Sequence, residues 1–133
     1  MFLFDTVALS EATKPQANPG FIEWLESVPP EHIHTSVLCL GELRRGVEML
    51  PPSQKKDRLA QWLETDLPAW LGDRVLVVDE AVGQIWGRLG ARGSQSPVDA
   101  LIGANAVSAG LTVVTRNVRD FDGLGVPVLN PWT

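Results

Sequence analysis

Apolar positions recur along the chain with two different periods, and the changes between them mark out elements. Phe2-Leu3-Phe4 is a short apolar run consistent with a buried strand, and from Thr6 the pattern turns helical as far as Lys14-Pro15. Phe21, Ile22, Trp24, Leu25 and Val28 mark a second short helix, stopped by Pro29-Pro30. Ile33 reads as a short strand with His32 and His34. Thr35 or Ser36 then caps a helix that runs to about Leu50 and is halted by Pro51-Pro52. Ser53 can cap the next helix, where Leu59, Trp62, Leu63, Leu67 and Leu71 recur near helical spacing and Pro68 breaks or bends the end. Val75-Leu76-Val77-Val78 is continuous and β-branched, which predicts a strand covered on both faces. Ala81, Val82, Ile85, Trp86 and Leu89 form another helix, and Gly90 and Gly93 loosen the segment around Arg92. Residues 97–110 are nearly all small or apolar and predict a deeply buried helix. Leu111-Thr112-Val113-Val114-Thr115 is the clearest strand, and Pro127-Val128-Leu129 is a weak terminal one.

Strands alternating with helices predict an α/β domain with a mostly parallel central β-sheet flanked by α-helices. In such sheets ligands bind beyond the carboxyl ends of the strands. Four acids fall there, each in or beside an apolar stretch: Asp5, Glu42, Asp99 and Asp120. Each also has a purely structural reading. Asp5 can cap the helix after the first strand, and Ser96-Pro97-Val98-Asp99 fits a capping box with Pro at the first helical position. Asn117-Val118-Arg119-Asp120 resembles a helix start, and Glu42 can pair with Arg45 or face solvent. If the four converge, carboxylates in one cleft repel and at least one must protonate near neutral pH. A divalent cation removes the conflict, and an all-oxygen donor set selects Mg²⁺ or Mn²⁺ over zinc. The matching reaction class is phosphodiester hydrolysis.

Composition narrows the alternatives. The chain has 133 residues, 44% hydrophobic and 20% charged, which is globular composition and predicts one domain over 1–133. A net charge of −5 argues against a basic coat that grips nucleic acid without regard to sequence. The single cysteine, Cys39, excludes an internal disulfide and a thiolate zinc cage, and its apolar neighbours mark it as a core residue. His32 and His34 read as exposed residues of one short strand. There is no apolar run of about 20 residues to span a membrane. The amino-terminal stretch lacks the basic region of a signal peptide, so a cytoplasmic location is expected.

The motifs around these acids bear a family resemblance. Met1-Phe2-Leu3-Phe4-Asp5-Thr6-Val7-Ala8-Leu9-Ser10-Glu11, Ser36 to Gly46 around Glu42, Asp99-Ala100-Leu101-Ile102-Gly103-Ala104 and Val114-Thr115-Arg116-Asn117-Val118-Arg119-Asp120-Phe121 occur in order. Together with the ending Leu129-Asn130-Pro131-Trp132, they resemble VapC-type toxin ribonucleases of the PIN-domain superfamily across essentially the whole chain. The resemblance implies a PIN fold and Mg²⁺- or Mn²⁺-dependent endoribonuclease activity, with Asp5, Glu42, Asp99 and Asp120 matching the acidic quartet. It implies Asp5 and Asp99 as direct metal ligands, and Thr6, Thr115 and Asn117 as side chains that orient ligands or waters. Arg92 and Arg116 are candidate contacts to RNA phosphates. Implied partners are a second copy of the chain and a cognate VapB-like antitoxin in a heteromeric complex. Apolar helix faces carrying Leu59, Trp62 and Leu63 are candidate contacts for it. The family commonly has Asn two places after the first Asp, where this chain has Val7. That departure keeps a second reading open, a catalytically weakened PIN-like scaffold that binds a protein.

Two other classes begin with an apolar strand ending in Asp. A haloacid-dehalogenase-type phosphatase needs a second Asp at the position of Val7, and a receiver module needs an adjacent acid and a Lys near the last strand. Neither requirement is met.

Overall fold

The computed structural model describes residues 1–91 and 95–133. Five strands form one sheet: β1 (Phe2–Phe4), β2 (Ile33–Ser36), β3 (Val75–Leu76), β4 (Thr112–Val114) and β5 (Val128–Leu129). All neighbouring pairs are parallel, and the spatial order is β3-β2-β1-β4-β5. The chain therefore builds outward from β1 to β2 and β3, then returns to the other side of β1 for β4 and β5. This reversal places a topological switch point between β1 and β4, where open α/β sheets leave a crevice at their carboxyl edge.

The helices are α1 (Thr6–Glu11), α2 (Pro19–Glu26), α3 (Val37–Glu48), α4 (Gln54–Gln61), α5 (Leu67–Leu71), α6 (Glu80–Gly90) and α7 (Pro97–Ala109). Their starts are written in side chains. Asp5, Asn18, Ser36, Ser53, Asp79 and Ser96 each accept a backbone N–H of the helix they precede. Between α4 and α5 the chain stays helical through a π-turn, Trp62–Asp66, closed by the Leu67 N–H donating to the Trp62 carbonyl. Pro68 has no N–H to offer the carbonyl four residues back, so the ladder shifts register just ahead of it. The bend predicted at Pro68 thus takes the form of a π-turn.

Leu3, Phe4, Ile33, Val113 and Val114 fill the sheet's centre, with Phe21, Leu71 and Ile102 packed from the helices. Cys39 is fully buried among them, and burial pushes its thiol up to about 11, which suits a core residue and not a nucleophile. Three expectations need correction. The strand predicted at Val75–Val78 covers only Val75–Leu76 and lies at the sheet edge, with Val77 61% exposed. A β-branched run looks the same whether one or both faces are covered. The predicted burial of 97–110 holds for Ala100 and for Ile102 to Ala106, whereas Val107 to Gly110 are exposed where the helix runs past the sheet. His32 and His34 are half-buried, not exposed, and only His34 lies in the strand. No helix of the described residues is long and apolar enough to cross a membrane.

One acid outside the predicted quartet holds the fold together. Glu11, at the end of α1, is buried and accepts from the Asn18 N–H (2.9 Å), the Trp132 indole N–H (3.1 Å) and the Lys14 ammonium (3.4 Å). Trp132 also lies against Phe21, with ring centroids 4.6 Å apart. Burial raises the Glu11 pKa, but the three donors more than offset it and leave it below the usual value of 4.5. Its stabilising contribution is therefore complete above about pH 4.5 and is lost as pH falls through the depressed value. Glu11→Gln should cost about 2 kcal/mol in chemical denaturation at pH 7, and the difference from wild type should shrink below pH 4.5.

Candidate functional site

Asp5 follows β1 directly and lies at the switch point. Its N–H donates to the Val114 carbonyl (3.1 Å), so it continues the ladder one residue past the strand. Phe4 pairs with Val114, which places Asp5 and Thr115 next to each other in the same register. The Thr115 side chain lowers the Asp5 pKa from its place beside the carboxylate, and its hydroxyl oxygen accepts the Asn117 N–H (2.9 Å). The second Asp5 interaction is the helix cap, with Oδ1 accepting from the Ala8 N–H (2.9 Å). The structural reading of Asp5 as a helix cap is thus realised, at the carboxyl edge of the sheet.

Each of the other acids comes from a different element. Glu42 projects from the middle of α3, where the Thr6 hydroxyl donates to its Oε1 (2.5 Å). Of the two structural alternatives, pairing with Arg45 or facing solvent, the second holds, since Glu42 is exposed. Asp99 lies in the first turn of α7, its N–H bonded to the Ser96 hydroxyl and its Oδ2 accepting that hydroxyl at 2.9 Å. Asp120 lies in the short 3₁₀ turn Val118–Phe121 and is exposed. That turn, with Leu124 just beyond it, packs on α7 at Gly103. A Cβ there would come within 3.1 Å of Leu124 and 3.9 Å of Phe121. The Asn117 side chain makes no cap on this turn; its role is the backbone N–H to Thr115.

Asp5 and Asp99 both feel the neighbouring acids. Burial pushes the Asp5 carboxyl from 3.8 up to about 6. The Thr115 hydroxyl and the Ala8 N–H pull it back, and the charges of Glu42 and Asp99 add to the rise. Asp99 is raised by burial, lowered by the Ser96 hydroxyl and raised again by Asp120 and Glu42. Among the described residues no three carboxylate, His or Cys side chains form a ready-made cation cage. The donor set is nonetheless all oxygen and is strained by its own charge. It fits a hard divalent cation that uses few carboxylates and keeps its waters. Arg116 is exposed just past β4, and Arg92 lies outside the described residues.

Beside the acids runs a groove of about 520 Å³ whose lining includes Thr6 and Glu42, then Lys14, Lys55, Leu59 and Trp62. Of the predicted apolar contacts, Leu59 and Trp62 face this groove, while Leu63 is buried in the core. Lys14 and Lys55 had no signal in the sequence, because they lie on separate segments that only the fold brings to one channel.

A parallel sheet of this order with acids from four elements at its carboxyl edge defines a class, and the PIN domain family model matches residues 2–126. The chain belongs to the PIN domain family. It is 34% identical to Toxin FitB of Neisseria gonorrhoeae, with 99% of each chain covered. It is 28% identical to VapC ribonuclease Y4jK of Sinorhizobium fredii, covering 99% of this chain and 98% of that protein. Among solved structures, FitAB bound to an IR36 DNA fragment superposes with a TM-score of 0.91 at 31% identity, over 100% of this chain and 96% of that one.

The raised Asp5 value has a measurable consequence for stability. The folded state holds the Asp5 proton more tightly than the unfolded chain does. Ionising it therefore costs stability, not at all below pH 3.8 and in full above about pH 6. The rise from 3.8 to about 6 corresponds to about 3 kcal/mol. Asparagine caps a helix as well as aspartate. Asp5→Asn should therefore stabilise the metal-free protein by up to about 3 kcal/mol at pH 8, and by almost nothing at pH 4. Thermal melts in EDTA at the two pH values test this, and a lower Tm for the variant at pH 8 would contradict it.

Proposed function

We propose that this chain is the toxin of a type II, VapBC-like toxin–antitoxin pair. In this reading it is a divalent-metal-dependent endoribonuclease that hydrolyses RNA phosphodiester bonds and is silenced by a cognate VapB-like antitoxin. The observation that carries the proposal is that acids from three other elements act on the buried carboxylates at the switch point, Glu42 and Asp99 on Asp5, and Asp120 and Glu42 on Asp99. Relatives named as a toxin and as a VapC ribonuclease, and a structural neighbour solved as FitAB on DNA, support it.

Asp5 and Asp99 are assigned as the ligands of the cation, Mg²⁺ first and Mn²⁺ as the substitute. When bound, such an ion offsets the carboxylate charge and lets a phosphate approach. Thr115 fixes the Asp5 carboxylate, and the Asn117 N–H in turn fixes Thr115. Thr6 holds Glu42, leaving its other oxygen for water or a second ion position. Asp120 adds charge from the rim, and Arg116 is placed to meet a substrate phosphate. The antitoxin is assigned to the groove beside the acids, and the site of action to the cytoplasm. A homodimer face is supported by Val37, Val77 and Val78, all exposed. The Ser36–Asn105 hydrogen bond (2.6 Å) and the bond from Asn105 to the Val77 carbonyl (3.0 Å) tie together the segments that carry them.

One observation favours the scaffold reading. Val7, in the first turn of α1, brings no amide to the site. A single assay separates the two. Purified, partner-free protein is incubated with a panel of structured RNAs and Mg²⁺. Cleavage is expected, with EDTA abolishing it and Asp5→Asn or Asp99→Asn reducing it at least about 100-fold. Failure to cut any RNA, with no growth defect on expression, would establish the scaffold.

A further inference from the structure

A hollow of about 330 Å³ lies where α1 and α2 meet the π-turn and α5, and its lining holds none of the four acids. Leu9 of α1, Leu25 of α2, and Trp62, Asp66 and Trp70 line it. Among the described residues Asp66 is the one charged side chain of the lining, is exposed, and forms no ion pair. The two indoles also lack partners of their own kind. The aromatic pairs of the core are made by Phe2, Phe4, Phe21, Trp24 and Trp132, and neither Trp62 nor Trp70 takes part. Trp70 is 37% exposed and already attracts one cation, with the Arg74 guanidinium 5.3 Å from its ring centre. That guanidinium donates to the Pro30, Ile33 and Trp70 carbonyls and is not part of the lining, so it does not serve Asp66. Trp62 and Asp66 are the two ends of the π-turn, a helical irregularity frequent at functional sites.

A free carboxylate beside two indole rings and aliphatic side chains suits a planar cation on an apolar stem. A guanidinium stacks on aromatic faces and meets a carboxylate with two parallel N–H bonds, which an ammonium does not. Charge decides against an anion, because nothing in the lining is positive and Asp66 repels it. We propose that this hollow takes an arginine side chain from the antitoxin segment seated in the adjoining groove. The hollow and the groove share Thr13 and Trp62, so a chain lying in the groove has the hollow within reach of one side chain. A free organic cation must offset its whole loss of translational freedom with this one contact. A side chain on a segment already bound arrives at high effective concentration. The inference rests on the antitoxin occupying the groove and adds to it the side chain that anchors the segment there.

The test titrates the full chain with Nα-acetyl-arginine amide and, in parallel, with the citrulline amide, its uncharged twin of the same shape. The indole N–H signals are followed by NMR, with Trp62→Phe and Trp70→Phe identifying the two that matter. The arginine probe should move both signals saturably, and the citrulline probe should bind about fivefold more weakly. Asp66→Asn should remove that difference, and it should weaken binding of the cognate antitoxin about fivefold. In the complex with antitoxin both signals should already be displaced and no longer respond to the probe. Equal responses to the two probes, or none to either, overturn the cation site. Signals that still respond in the complex show that the hollow takes a free cation, and also overturn the proposal. Wild-type antitoxin affinity and RNA cleavage are scored separately. A chain that binds antitoxin equally well with Asp66→Asn overturns the anchor alone. A chain that binds no antitoxin and cuts no RNA overturns the toxin reading with it.

Discussion

Ionisation of Asp5 opposes its own burial, and much of the surrounding structure can be read as a response to that conflict. The carboxylate ends the central strand, is almost wholly enclosed, and caps α1. Water cannot solvate it there. The Ala8 N–H and the nearby Thr115 side chain do part of that work, but they leave the carboxyl at about 6. Packing alone would favour an amide at this position. A residue that the fold would be more stable without, placed where the sheet opens a crevice, is what a site that needs negative charge requires.

The other acids are brought to Asp5 by means that differ in how local they are. Asp99 needs only a capping box, a device spanning Ser96 to Asp99, so its position on α7 is encoded within one turn. Glu42 depends on α3 leaving β2 directly at Ser36, since no loop intervenes to let the helix swing away. Asp120 depends on a tertiary contact, the approach of the Val118–Phe121 turn to α7 across Gly103.

These differences explain what was legible in the sequence. Asp5 and Asp99 stand out because an apolar run ends in an acid and because a capping box has a fixed spacing; both signals are local. The parallel sheet was legible for the same reason, from alternating periods. Glu11 was not, since its meaning depends on Asn18 and Trp132, and Trp132 is contributed by the far end of the chain. The exposure of Val77 was also hidden, because strand order in the sheet decides which strand is an edge. Lys55 and Arg58 look like ordinary residues of a solvated helix face. Only the packing of α4 beside α1 and α3 turns that face into the wall of a channel that leads to the acids.

The negative net charge takes on a different meaning once it is located. Asp5, Asp99 and the acids that raise them are concentrated at the carboxyl edge of the sheet, while Lys55 and Arg58, which form no ion pair among the described residues, line the hollow beside the groove that leads away from it. The negative charge of the chain is thus partly a property of its fold, because Asp5 and Asp99 are held where burial and neighbouring acids both oppose their ionisation.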